Sequence, residues 1–163
     1  MKDAGRFKVT TPTDREILLT RTFDAPRESV FEAWTKAEHV KHWWDPSGVA
    51  LSVCEIDLRP NGVFRWVNSS HGAEHTFTGT YREITAPERL VFTVKMFPSR
   101  PDPLTTPLFS EDGSKTKVTM KIECNSIEDR DALLQMRIDA GTGRTLKNLA
   151  EYLARVDLTE QAK

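Results

Sequence analysis

An α+β fold in which an antiparallel sheet wraps around a long C-terminal helix is the architecture this sequence predicts, and three features carry the prediction. Apolar and polar residues alternate over several separate stretches, as they do in strands with one buried face. Turn-forming residues punctuate those stretches. The last part of the chain then switches to helical spacing. With 163 residues, 38% of them hydrophobic, the chain suits one domain with a substantial core. That domain is expected over residues 14–156, with loosely ordered tails at 1–13 and 157–163.

From Arg15 to Asp24, Ile17, Leu19 and Phe23 alternate with Glu16, Thr20 and Thr22, which predicts a half-buried strand. Ala25-Pro26 ends it, and Pro26 suits the first turn of a helix that Asp24 is available to cap. Val30, Phe31, Trp34, Val40 and Trp43 recur at helical spacing and predict two short helices, broken between Thr35 and Ala37. Pro60-Asn61-Gly62 separates the apolar runs 49–58 and 63–68, a hairpin signal. Ser69-Ser70-His71-Gly72 and Ala86-Pro87-Glu88 mark two further reversals. Leu90, Phe92, Val94 and Met96 share one face of a strand over 89–97, and Val118, Met120, Ile122 and Cys124 share one face of another over 115–124. Between them, 98–113 holds Pro98, Pro101, Pro103 and Pro107 and no clear period, which predicts a long loop able to act as a lid. Ser126-Ile127-Glu128-Asp129 resembles a capping box that opens a helical stretch to about Val156. Its second half puts Ile138, Thr142, Leu146, Leu149, Leu153 and Val156 on one face.

Charge and cysteine content exclude several function classes. Lysine plus arginine total 23 and aspartate plus glutamate 24, so the formal charge of -1 supplies no general attraction to nucleic acid or an anionic membrane. Cys54 and Cys124 are far apart and belong to no C-x-x-C motif, which predicts small buried thiols in a reducing, cytoplasmic compartment. No apolar run is long enough for a membrane span or a signal peptide.

Several runs then resemble a known family. They are Arg21-Thr22-Phe23-Asp24-Ala25-Pro26, Val30-Phe31-Glu32-Ala33-Trp34-Thr35, His42-Trp43-Trp44-Asp45-Pro46, Asp57-Leu58-Arg59-Pro60-Asn61-Gly62 and Gly79-Thr80-Tyr81-Arg82-Glu83-Ile84. Pro87-Glu88-Arg89-Leu90-Val91-Phe92-Thr93 and Leu146-Lys147-Asn148-Leu149-Ala150-Glu151-Tyr152-Leu153 continue the match. Together, over residues 15–156, they resemble the activator of heat-shock-protein-90 ATPase homologues, within the START-like, helix-grip (SRPBCC) superfamily. The resemblance implies a curved sheet gripping the last helix, and a fold whose members bind lipids, hormones or antibiotics, with a minority catalysing cyclisation or hydrolysis. In many relatives a Gly-Trp pair opens the last helix. Here the pair is Gly141-Thr142, which implies a wider or more polar pocket at that point.

Residues facing inward from a wrapped sheet and its gripped helix must line any cavity. That gives Trp44, Phe64, Trp66, Tyr81, Phe92, Met96, Met120, Ile138, Gly141, Thr142 and Leu146 as the candidate lining, with plain core packing as the competing account of each. Gly141 and Gly143 cost a helix about 1 kcal/mol each relative to alanine, so close packing, room for a ligand, or a helix break near Ala140 should compensate. Trp43 and Trp44 are adjacent and cannot both face one core, so one should reach the pocket mouth or the sheet edge. The pairs His39/His42 and His71/His75 have no cysteine at ligand spacing, so solvated surface histidines are expected rather than a metal site. Glu55 should pair with Arg65 across the hairpin, with Cys54, Ile56 and Leu58 inward. No catalytic residue and no cofactor is legible.

Three functions compete on this reading. One is a binding protein for a small apolar or amphipathic ligand, which needs a cavity of about 300 Å³ or more. Another is a co-chaperone-like module with a chaperone partner. The third is a cyclase or hydrolase acting in the same cavity. Neither nucleic acid nor membrane insertion is expected, and the assembly is expected to be a monomer or homodimer.

Overall fold

The computed structural model describes residues 7–70, 73–96 and 100–156. In chain order the elements are β1 (Lys8–Thr10), β2 (Glu16–Phe23), α1 (Arg27–Thr35), α2 (Ala37–Trp43), β3 (Val53–Ile56) and β4 (Val63–Ser70). There follow β5 (Ala73–Thr85), β6 (Arg89–Val94), β7 (Leu104–Asp112), β8 (Lys115–Glu123), α3 (Ile127–Gln135) and α4 (Ile138–Arg155). The strands form one antiparallel eight-stranded curved sheet in the order β1-β2-β8-β7-β6-β5-β4-β3.

Alternation decides which sheet face is buried. Ile17, Leu19 and Phe23 of β2 and Val118, Met120 and Ile122 of β8 are buried, and β2 runs unbroken against β8 from Glu16↔Glu123 to Phe23↔Thr116. Leu90, Phe92 and Val94 of β6 join the same layer. Across that face lies α4, whose Leu146 and Leu149 are fully buried. Burial of side chains of this kind stabilises by about 1.5–3 kcal/mol each. The helices α1 and α2 close one end: Phe31 and Trp34 pack edge-on against Phe109 of β7 at 5.3 and 5.6 Å.

Several expectations need correcting. Lys8–Thr10 is not tail but an edge strand paired with β2, and Phe7 lies against Gly143 of α4. Residues 1–6 and 157–163 lie outside the described residues. Asp24 caps nothing: the N-cap of α1 is Pro26, and it provides no side-chain cap. As expected, the break between α1 and α2 falls between Thr35 and Ala37, at Lys36 in extended backbone with φ -104° and ψ 129°. Leu58 is exposed, because β3 ends at Ile56 before reaching it.

Of the expected loop over 98–113, residues 98–99 lie outside the described residues and Leu104–Asp112 is strand β7, which lies between β6 and β8 and so is no lid. Pro107 hid it, since proline is rarely tolerated inside a sheet. The β6–β7 ladder shows how this one is accommodated. Arg89↔Leu108 and Phe92↔Thr105 pair in one register, but the positions between them, where Pro107 has no N–H to give, do not.

The expected helical stretch over 127–156 is two helices, α3 and α4. Ser126 does cap α3, accepting from the Asp129 N–H at 3.1 Å, while the Asp129 carboxylate pairs with Arg100 at 3.1 Å. The helix then breaks at Met136-Arg137, where Arg137 is left-handed with φ 60° and ψ 43°. That lies ahead of Ala140, and both glycines fall within α4.

Candidate functional site

The break at Met136-Arg137 opens one side of a cavity between α4 and the sheet. Phe92 and Val94 of β6, Met120 and Ile122 of β8 and Thr105 of β7 form its sheet side, with Phe77 of β5 and Met96 just beyond β6. Ile138, Gly141, Thr142, Thr145 and Leu146 of α4 form the opposite side. Trp34, Trp44 and Pro46 close an end, and Met136 and Arg137 complete the lining. The volume is about 220 Å³, short of the roughly 300 Å³ expected of a binding cavity, which counts against a drug-sized ligand and leaves room only for a smaller one. It corresponds to about seven waters of liquid, so the enclosed part suits a ligand of on the order of ten non-hydrogen atoms.

Gly141 keeps that space open, since a Cβ there would meet no atom within 4 Å. Gly143 does the other job, because its Cβ would come within 3.0 Å of the Phe7 ring. Of the three accounts of the glycines, close packing holds at Gly143, the helix break falls earlier at Met136-Arg137, and Gly141 borders open space.

The tryptophan pair divides as its geometry requires. Trp43 is 1% exposed and its indole N–H donates to the Ala33 carbonyl at 3.0 Å, whereas Trp44 lines the cavity. Two hydrogen bonds from α4 hold the chain there. Thr145 Oγ1 donates to the Trp44 carbonyl at 3.0 Å, and Asn148 Nδ2 donates to the Asp45 carbonyl at 2.8 Å.

Of the candidate lining, Trp44, Phe92, Met96, Met120, Ile138, Gly141, Thr142 and Leu146 meet around the cavity. Phe64, Trp66 and Tyr81 do not; they are a packed layer behind it. Phe64 stacks on Trp66 with centroids 4.4 Å apart, Trp66 backs Trp44 at 4.4 Å, and Phe64 meets Tyr81 at 5.4 Å. The cause is Gly79, the cross-strand partner of Phe64, whose missing Cβ leaves the place where the Phe64 ring lies.

Phe77, Val94 and Ile122 were not among the candidates, yet their strand parity with Tyr81, Phe92 and Met120 marks them. Trp34 carried a signal in the helical spacing of α1. Thr105 was hidden by the misassigned β7, and Met136 and Arg137 by a helix break with neither glycine nor proline.

The polar groups of the lining are few. Thr145 is committed to Trp44. Thr105, buried to 6% exposure, and Thr142 make no side-chain hydrogen bond among the described residues. Arg137 is the one charged lining residue among those described, and the lining holds no carboxylate, histidine or cysteine. Among the described residues no group of three or more potential ligands could hold a metal ion.

The histidines depart from expectation in one respect. His39 is 3% exposed rather than solvated, with Nδ1 2.6 Å from the Tyr152 hydroxyl of α4. His42 is exposed and stacks on the same Tyr152 ring at 5.7 Å. Partial burial, then the neighbouring Lys41 and Arg155, lowers its pKa from the ordinary value. His75 is exposed and His71 lies outside the described residues. Glu55 and Arg65 face each other across β3–β4 at 3.6 Å, both exposed, an ordinary surface pair. No described helix is long and apolar enough to cross a membrane.

No functionally curated protein matches the chain. Solved structures do. A Rhodobacter sphaeroides protein superposes with a TM-score of 0.84 at 19% identity, covering 93% of this chain and all of that one (100%). Protein NE0264 from Nitrosomonas europaea gives 0.80 at 27% identity, covering 94% and 100%. Ms6760 from Mycobacterium smegmatis gives 0.81 at 18%, covering 91% and 97%. These likenesses agree with the helix-grip arrangement of sheet and α4. The model of the family described as Activator of Hsp90 ATPase homolog 1-like protein matches residues 24–154, from the end of β2 to the last turn of α4, and the chain belongs to that family.

Proposed function

We propose that this protein binds a small apolar or amphipathic molecule in the cavity between α4 and the sheet. The observation that supports this most is Gly141, which forgoes helix stability at a half-buried position on the cavity side of α4 and faces open space rather than a neighbour. Native cores are packed to crystal-like density, so retained apolar space calls for an occupant. A lining that holds no carboxylate, histidine or cysteine among the described residues favours binding over hydrolysis or cyclisation, which need a positioned acid or base. The family's description names chaperone activation, but the feature this structure offers is internal, and a chaperone partner would act on an outer face. A reducing cytoplasmic setting belongs to the same reading, with Cys54 and Cys124 both free.

Native mass spectrometry of the purified protein tests the proposal. A co-purifying small molecule is expected on the natural chain and absent from Thr142→Trp, whose indole fills the cavity from α4. The same molecule retained unchanged by Thr142→Trp would place the binding site elsewhere.

A further inference from the structure

We propose that the occupant of this cavity is a small carboxylic acid, with its apolar body inside and its carboxylate held at the mouth by Arg137. This rests on the binding reading above and adds the chemical class of the ligand. Around a lining of aromatic, aliphatic, methionine, proline, glycine and threonine residues, Arg137 is the single charged member among those described. A ligand buried among such groups gains from an apolar body, and one permanent cation at the rim selects the sign of its polar end.

Arg137 has donors to give. Its Nε–H donates to Asp139 Oδ1 at 3.3 Å, and its two terminal amino groups have no partner among the described residues. A guanidinium carries five N–H donors in a planar fork, so those two ends remain for a second carboxylate. The side chain is 71% exposed, so the guanidinium stays in water at the mouth and pays no burial penalty before binding.

The backbone adds a second observation. Arg137 sits in the left-handed region with φ 60° and ψ 43°, where a residue bearing a Cβ costs about 1–2 kcal/mol and glycine does not. That conformation ends α3, starts α4 and brings Met136, Arg137 and Ile138 together around the opening. An arginine at a position that favours glycine is accounted for by what its side chain does there.

Calorimetric titration of the full chain with octanoate, 1-octanol and octylamine tests the assignment, since the three share one apolar body. Octanoate is expected to bind about fivefold more tightly than 1-octanol, the upper end for an exposed ion pair. The difference should shrink as salt is raised. Arg137→Gln should abolish it without weakening 1-octanol, Arg137→Lys should keep part of it, and Asp139→Asn should strengthen octanoate alone. Equal binding of octanoate and 1-octanol, or octanoate binding unaffected in Arg137→Gln, overturns the acid assignment and leaves the cavity reading standing. Tightest binding by octylamine overturns it too, and would make Asp139 the recognising group. If none of the three binds, the cavity reading fails, and this one with it.

Discussion

Two glycines on one helix, two positions apart, show how much a single hydrogen can carry. Gly143 makes room for Phe7, so a methyl there must displace a ring that already stands 3.0 Å away. Gly141 makes room for nothing in the chain. Gly141→Ala therefore gains helix propensity, about 1 kcal/mol, with no steric offset. The midpoint of urea unfolding should rise accordingly, with an unchanged slope. An unchanged or lower midpoint would mean that the space beside Gly141 closes in solution. At this scale the sequence was informative wherever a residue's direction follows from strand parity or helix period, as for Phe92, Met120 and Leu146. It misled where a neighbour decided the direction. Phe64 and Tyr81 have inward parity, yet Phe64 lies in the place vacated by Gly79, a cross-strand pairing that no local pattern reveals.

Between elements, the contact that fixes the site is the docking of α2 on α4. Thr145 and Asn148 hold the carbonyls of Trp44 and Asp45, and one turn further along Tyr152 meets His39 at 2.6 Å. Tyr152→Phe removes the hydroxyl and leaves the His39 Nδ1 buried without a partner. A buried polar group stranded in this way costs about 1–3 kcal/mol. Urea unfolding should show a loss of that size. A loss smaller than the error of the midpoint would show that His39 finds water instead. This docking was not legible in advance, because His39 and Tyr152 lie 113 residues apart and a histidine in the first turn of a short, polar-looking helix suggests solvent. The same limit applied to β7. Its Pro107 is a sheet breaker by local chemistry, and only the antiparallel partner β8 on its other side makes the strand form.

For the whole molecule, the order of elements was the most legible property, since alternation, turn chemistry and the family's motifs all bear on it over most of the chain. The core built from that order has a consequence for alkaline stability. Burial pushes the Cys54 thiol up to about 11, with nearby Lys41 acting against it. Burial, then the Asp129 carboxylate, pushes Cys124 up to about 11. In the unfolded chain such thiols titrate near 9.0. Below about pH 9 both states hold both protons, and the contribution to stability is complete. Between about pH 9 and 11 the unfolded chain releases protons that the folded chain keeps, so stability must fall as pH rises. Burial also raises the Tyr81 phenol, and Cys54 adds to that shift, extending the fall above pH 10. Urea midpoints should therefore decline steadily above pH 9, and replacing both cysteines by alanine should flatten the part of the decline below pH 10. A midpoint that stays level from pH 9 to 10.5 in the natural chain would show that both thiols reach solvent, and alkylation with iodoacetamide at pH 8 would then proceed at the rate of a free thiol rather than more slowly.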